Sequence, residues 1–162
     1  MIPAFESARQ LLRHAVATVA YRGDKALRDT PPHFAHFRAA ETARTPLELL
    51  AHISDLYAWA LSISQGKQSW SPIKPVDWQA EVERFFATIT DFDKYLASDE
   101  PLYAPAEKLF QGPIADSLTH VGQLAMLRRL ANSPVRGENY FVADVTTGRC
   151  GADQAAPRRE FD

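Results

Sequence analysis

Cysteine is almost absent from this chain: Cys150 stands alone, so no intrachain disulfide can form and no Cys-rich metal site can be built. It reads as a loop thiol without a function. No apolar run approaches the roughly 18 residues that a membrane span requires. The first residues, MIPAFESARQLLRH, place Glu6, Arg9 and Arg13 among apolar neighbours and leave no uninterrupted core for a signal peptide. Neither sign of charge dominates. Eighteen Lys and Arg against 20 Asp and Glu give a net charge of −2, which leaves no basic footprint for nucleic acid. The loops of dinucleotide-binding proteins (GxGxxG), P-loop enzymes and serine hydrolases (GxSxG) are missing too, so those chemistries have no support. The expectation is a cytoplasmic, soluble protein with one domain over residues 1–162. A chain of this length buries about two-thirds of its unfolded surface, so it needs no metal merely to fold.

What is there is helical periodicity. Phe5, Ala8, Leu12, Ala15/Val16 and Val19 recur every three or four residues and predict a first helix over about Pro3–Arg28, with Pro3 in the first turn and Gly23 weakening the last. Residues 29–44 hold Pro31-Pro32 and form a long connection. Thr45-Pro46-Leu47-Glu48 is a start signal: a capping threonine, a proline at the first position and a glutamate completing a capping box. The second helix runs from there to about Gln65, and Gly66 ends it. Asp77 caps a third helix in which Trp78, Val82, Phe85, Ile89, Phe92 and Leu96 step by four and three, a bundle seam. A short helix around Pro105–Phe110 precedes a fourth long one, opened by Gly112-Pro113 and stopped by Pro134. The tail from about residue 135 is irregular. Its Tyr140–Val145 segment packs back on the body, and the last dozen polar residues are loosely held. Four long helices without a strand series predict an all-α four-helix bundle.

Bundle cores hold metals on side chains projecting inward from facing helices. Asp116 and His120 stand at i and i+4 on the fourth helix, on one face, and His52 lies midway along the second, beside its apolar face. A third ligand on another helix would complete one face of a coordination sphere. Two imidazoles and a carboxylate suit Zn, Fe(II), Ni or Mn, and leave positions open for water or substrate. Spacing alone equally allows a hydrogen-bonded core histidine and an ordinary helical Asp–His pair. The paired Glu-x-x-His elements of a di-iron bundle are absent.

Other polar residues carry weaker signals. His33 and His36 sit three apart in a loop, where an exposed or packing role is preferred, and His14 suits a surface or interhelical hydrogen bond. Asp55, one turn after His52, could orient a ligand or face solvent. Gln123 could line the site or hold a helix interface. Tyr57, Trp59 and Trp70 could wall a pocket or fill core. Arg128 and Arg129 close the fourth helix, where the dipole favours cations, and could also hold an anionic substrate.

Two segments carry a family resemblance. TPLELLAHISDLYAWAL resembles the second-helix signature of the DinB/YfiT-like superfamily. DSLTHVGQLAMLRRLANSPV resembles its later-helix signature, usually His-x-x-x-His followed by x-Gly-Gln-Leu. With the matching spacing between them, the resemblance covers roughly Pro3–Val135. It implies a bundle with a divalent metal on three side chains, usually three histidines. His52 matches the second-helix ligand and His120 the second histidine of the pair, while Asp116 stands where the first would be. The implied site is therefore two histidines and one carboxylate.

The implied activity is that of a metal-dependent enzyme, either a thiol S-transferase using a small thiol or a hydrolase-like protein. No independent general base or nucleophile is apparent, and a bundle by itself does not define a reaction. The alternative is a non-catalytic bundle, with or without metal, acting in stress response or protein association. Helices 1 and 3 carry enough apolar surface for a homodimer, although an intramolecular seam would use the same residues.

Overall fold

The computed structural model describes residues 4–161; Pro3 and the Phe5 side chain lie outside what is described. The described chain is all-α, with four long helical stretches and little strand. Helix α1 spans Ala4–Leu27, α2 Pro46–Ser64 and α3 Trp78–Ala97. The fourth stretch begins as α4, Ala106–Leu109, widens into a π-helical segment at Phe110–Ile114, and continues as α5, Ala115–Leu130. No helix among the described residues is long and apolar enough to cross a membrane.

The helix starts follow from local chemistry. The Glu48 N–H donates to Thr45 Oγ1 at 3.2 Å and the Thr45 N–H donates to Glu48 Oε2 at 2.7 Å, so the capping box forms. Asp77 Oδ1 accepts the Ala80 N–H at 2.9 Å. Gly66 takes φ +75° just past α2, a conformation that costs glycine little. The α3 seam is buried as its period requires: Phe85, Ile89 and Phe92 are fully enclosed, Leu96 nearly so, and Trp78 and Val82 pack at the margin.

Helix α2 packs on α3 and α5, and α1 packs on the same two helices. Thus α1 and α2 occupy opposite corners of the bundle, as do α3 and α5. This explains the two long links: residues 28–45 and 98–105 each cross a diagonal, while the α2–α3 connection joins neighbours. Arg13 pairs with Asp93 through two N–H···O bonds of 2.9 and 3.1 Å, and Arg9 donates to the carbonyls of Leu96, in the last turn of α3, and Ser98, just past it. Both tie α1 to α3.

Gly23 marks the tightest approach between those helices. A Cβ built there would lie 2.5 Å from Phe85 Cζ, a ring with no room to retreat. Gly23→Ala is expected to lower stability by about 1–3 kcal/mol despite alanine's better helix propensity, because overpacking outweighs the roughly 1 kcal/mol that propensity returns. Urea unfolding measures the sign; a stabilised variant would show that the helices can part at no cost.

Two expectations are corrected. Gly112-Pro113 does not open a new helix but lies inside a continuous one. Pro113 has no N–H to give and its ring crowds the preceding turn. The wider π segment accommodates it, with the Ala115 N–H reaching back five residues to the Phe110 carbonyl. Second, the end of the chain is not loosely held. A short strand β1, Gly137–Glu138, pairs antiparallel with β2, Glu160–Phe161. Behind it, Lys25 Nζ bonds Glu138 Oε2 at 2.8 Å and Glu160 Oε2 at 3.1 Å, and the Tyr21 hydroxyl donates to Glu138 Oε1 at 2.5 Å. Tyr140 stands edge-on to Tyr21 and under the Arg22 guanidinium, so the aromatic segment does pack back, although Phe141 projects into solvent.

Cys150 lies in an irregular part of that tail with its side chain buried. Burial, with Asp93 beside it, pushes its thiol up to about 12 against the pull of Arg13. At pH 9 about a thousandth of it is thiolate, whereas an exposed cysteine is mostly ionised. Folded protein at pH 9 should therefore react with a disulfide reagent orders of magnitude more slowly than protein in denaturant. Similar rates would mean that the tail opens freely.

Candidate metal centre

The α2–α5 contact brings together three side chains that spacing had placed on facing helices. His52 projects from the middle of α2. Asp116 and His120 lie on successive turns of α5, immediately after the π segment. His52 Nε2 is 3.6 Å from Asp116 Oδ2, and His120 Nε2 is 3.3 Å from Asp116 Oδ1. The imidazole centroids are 4.8 Å apart with nearly perpendicular rings. The ligand atoms of all three lie within 4.8 Å of one another, the one such convergence of three or more His, Cys, Asp or Glu among the described residues. Nitrogen and oxygen ligands about 2.1 Å from a tetrahedral ion stand about 3.4 Å apart. The two distances to Asp116 lie near that value, one to each carboxylate oxygen, and the donor set suits the same transition metals.

The protonation states also suit an ion. Burial first, then His120 and Arg44, hold the His52 imidazole below its ordinary value, while Asp116 pulls the other way. His52 is neutral at pH 7, with a lone pair to offer. His120 Nδ1 lies 2.8 Å from Gln123 Oε1; the carbonyl oxygen accepts, so Nδ1 donates and Nε2 is the nitrogen that faces Asp116. Gln123 is thus the residue that orients His120, a firmer role than lining the site. Gln123→Leu is expected to weaken metal binding by about 10–100-fold while every ligand remains, measurable by chelator competition. Unchanged affinity would mean that the bond orients nothing.

The scaffold around the three residues is built from buried polar contacts. Asp55 neither orients a ligand nor faces solvent: it accepts from Arg84 Nη1 at 2.8 Å and from the Ile73 N–H at 3.2 Å. Arg84, on α3, also bonds Glu81 at 2.7 Å and the Ala51 carbonyl at 2.9 Å, gripping α2 at the residue before His52. On the other side the fully buried Tyr57 hydroxyl bonds Ser117 Oγ at 2.9 Å, and Ser117 Oγ donates to the Ile114 carbonyl at 2.7 Å. That contact sets α5 against α2 one residue beyond Asp116.

The remaining expectations divide. Trp70 packs edge-on to His52 and to Trp59, both at 5.9 Å, so two of the three aromatics stand beside the site while Tyr57 belongs to the core. Arg128 is not free for a substrate: it is buried, and its guanidinium donates to the carbonyls of Ala26, Arg28 and Ser133. Arg129 reaches the Val135 carbonyl at 3.5 Å. His33 and His36 are exposed, and His14 bonds Thr147 of the tail.

A cleft of about 550 Å³ opens beside His52 and His120, bounded by Arg44, Leu49, Met126 and Leu127. Leu49 one turn before His52, and Met126 and Leu127 two turns after His120, could have been found from helical spacing. Arg44 comes from the connection preceding α2 and carries no periodic signal. No family model, curated protein or solved structure matches the chain.

Proposed function

We propose that the chain is a DinB/YfiT-like metalloprotein that holds a divalent ion on His52, Asp116 and His120 and acts as a metal-dependent enzyme, a thiol S-transferase or a hydrolase. The observation that carries this reading is the convergence of two imidazole nitrogens and a carboxylate within 4.8 Å across α2 and α5. The two segments resembling that superfamily contain the same three positions. A bound Zn, Fe(II), Ni or Mn ion would supply Lewis-acid chemistry, activating a water or holding a small thiol as its thiolate. The chain's own residues do the rest. His52, Asp116 and His120 provide three protein ligands and leave further positions for substrate. Gln123 fixes which nitrogen His120 presents. Trp70 packs edge-on against His52, and the cleft beside His52 and His120 admits a small molecule.

Elemental analysis of protein purified without added metal, alongside His120→Ala, tests the reading. Wild type is expected to carry about one equivalent and the variant little. If neither carries metal, and neither binds added Zn, Ni or Mn, the proposal is wrong. A screen of small thiols with electrophiles, and of hydrolysable esters and amides, then tests turnover. Metal without any turnover would leave a non-catalytic metal-binding bundle.

A further inference from the structure

We infer that the cleft beside His52 and His120 receives a small amphipathic anion, an apolar body ending in a carboxylate or sulfonate, whose charged end sits on Arg44. The inference names the substrate class for the proposed metal centre, and it rests on that reading for the ligand's purpose but not for its binding. At about 550 Å³ the cleft falls in the range of small-molecule sites. Its walls are mainly apolar: Leu49 from α2, and Met126 and Leu127 from α5. Met126 is 57% exposed and Leu130, one turn further on, 54% exposed. A flexible thioether left open beside a hollow is a surface that an apolar body can cover.

Charge selects the other end of the ligand. Arg44 is the lone Lys, Arg, Asp or Glu lining this cleft. Among the described residues no hydrogen bond or ion pair occupies its guanidinium, which acts only through its field on Glu48 and His52. The nearby carboxylate makes no ion pair with it, because Glu48 closes the capping box and stands 3.7 Å from Arg38. Asp116 lines a separate hollow with Leu56 and Trp59, and its close partners are the two histidines. Gln123 is engaged by His120. An arginine with free donors at the mouth of an apolar cleft is suited to a planar oxyanion, which it can meet with two parallel bonds.

The test is fluorescence titration of the full chain with 8-anilinonaphthalene-1-sulfonate, and with N-phenyl-1-naphthylamine, which keeps the aromatic body without the charge. A chelator is present throughout, so binding is read without metal. The sulfonate probe is expected to saturate a single site. Arg44→Gln should weaken it about tenfold, the loss of one charge-assisted contact, and leave the neutral probe within about twofold. Arg158→Gln, at an exposed guanidinium of the tail that pairs with Asp144, should leave both unchanged, and Met126→Trp, which fills the cleft, should weaken both. Each variant must still unfold cooperatively, so that the probe does not report loosened protein. Equal losses of both probes in Arg44→Gln, a loss no greater than in Arg158→Gln, or a sulfonate probe indifferent to Met126→Trp would each overturn the inference. Probe binding retained in a protein that takes up no metal sinks the metal reading alone; metal bound without Arg44-dependent probe binding sinks this inference alone.

Discussion

Replacing Arg84 with methionine should cost about 3–5 kcal/mol of folding free energy, the largest single loss expected in this chain. The arginine side chain is 19% exposed, and its partners Asp55 and Glu81 are 7% and 4% exposed. Three of its N–H groups go to Asp55, Glu81 and the Ala51 carbonyl, a fan that the planar guanidinium makes and an ammonium cannot. Methionine fills similar space but leaves two like charges enclosed without a counterion. The penalty comes from breaking the network rather than from the network's net worth. Arg84→Met combined with Asp55→Leu and Glu81→Leu should therefore recover most of the loss, short of the roughly 1 kcal/mol tied to the Ile73 amide. Urea unfolding of the single and triple variants at matched slope measures both. A single variant within 1 kcal/mol of wild type would show that water reaches these carboxylates. Arg84→Lys keeps the charge but releases part of the grip on Ala51, so a folded lysine variant should bind metal more weakly by shifting His52.

The same network shows where reading from the chain stops. Periodicity and caps gave the helices because both are local: Thr45 with Glu48, Asp77 with Ala80, and the Phe85–Leu96 seam each depend on residues within a turn or two. The convergence of His52, Asp116 and His120 was legible for a related reason, since the i,i+4 pair on α5 needs only one partner from a facing helix. The Asp55–Arg84 contact joins residues 29 apart and the Lys25–Glu138 contact residues 113 apart, and no pattern in the chain announces either. Lys25 and Glu138 look like surface charges until the fold buries them together, and the tail then becomes ordered rather than loose. Pro113 failed as a start signal because the π segment absorbs what would otherwise break a helix. Arg44 had no signature because loops carry no period, yet it bounds the cleft.

Asp116 is the position at which ligand and scaffold roles separate most cleanly. Its side chain is 46% exposed, and its close partners are the two histidines. Removing it should therefore cost the metal-free protein almost nothing, within about 0.5 kcal/mol as for other surface changes. The metal-loaded protein is expected to behave differently. An ion that binds only the folded state stabilises it by about 2.7 kcal/mol at a free concentration of 100 times Kd. Asp116→Ala, with one of the three proposed ligands gone, should lose about 100-fold in affinity or more, since even outer-shell changes cost 10–100-fold. At the same zinc concentration the variant then gains only about 0.4 kcal/mol. His52→Ala and His120→Ala should match that collapse, whereas Asp116→His should hold affinity within about tenfold, because imidazole is an equivalent donor at the position where the resembling superfamily usually carries it. Thermal unfolding with and without zinc separates the cases. Equal zinc stabilisation of wild type and Asp116→Ala would remove the carboxylate from the ligand set, and a metal-free Asp116→Ala that unfolds early would make it a structural residue.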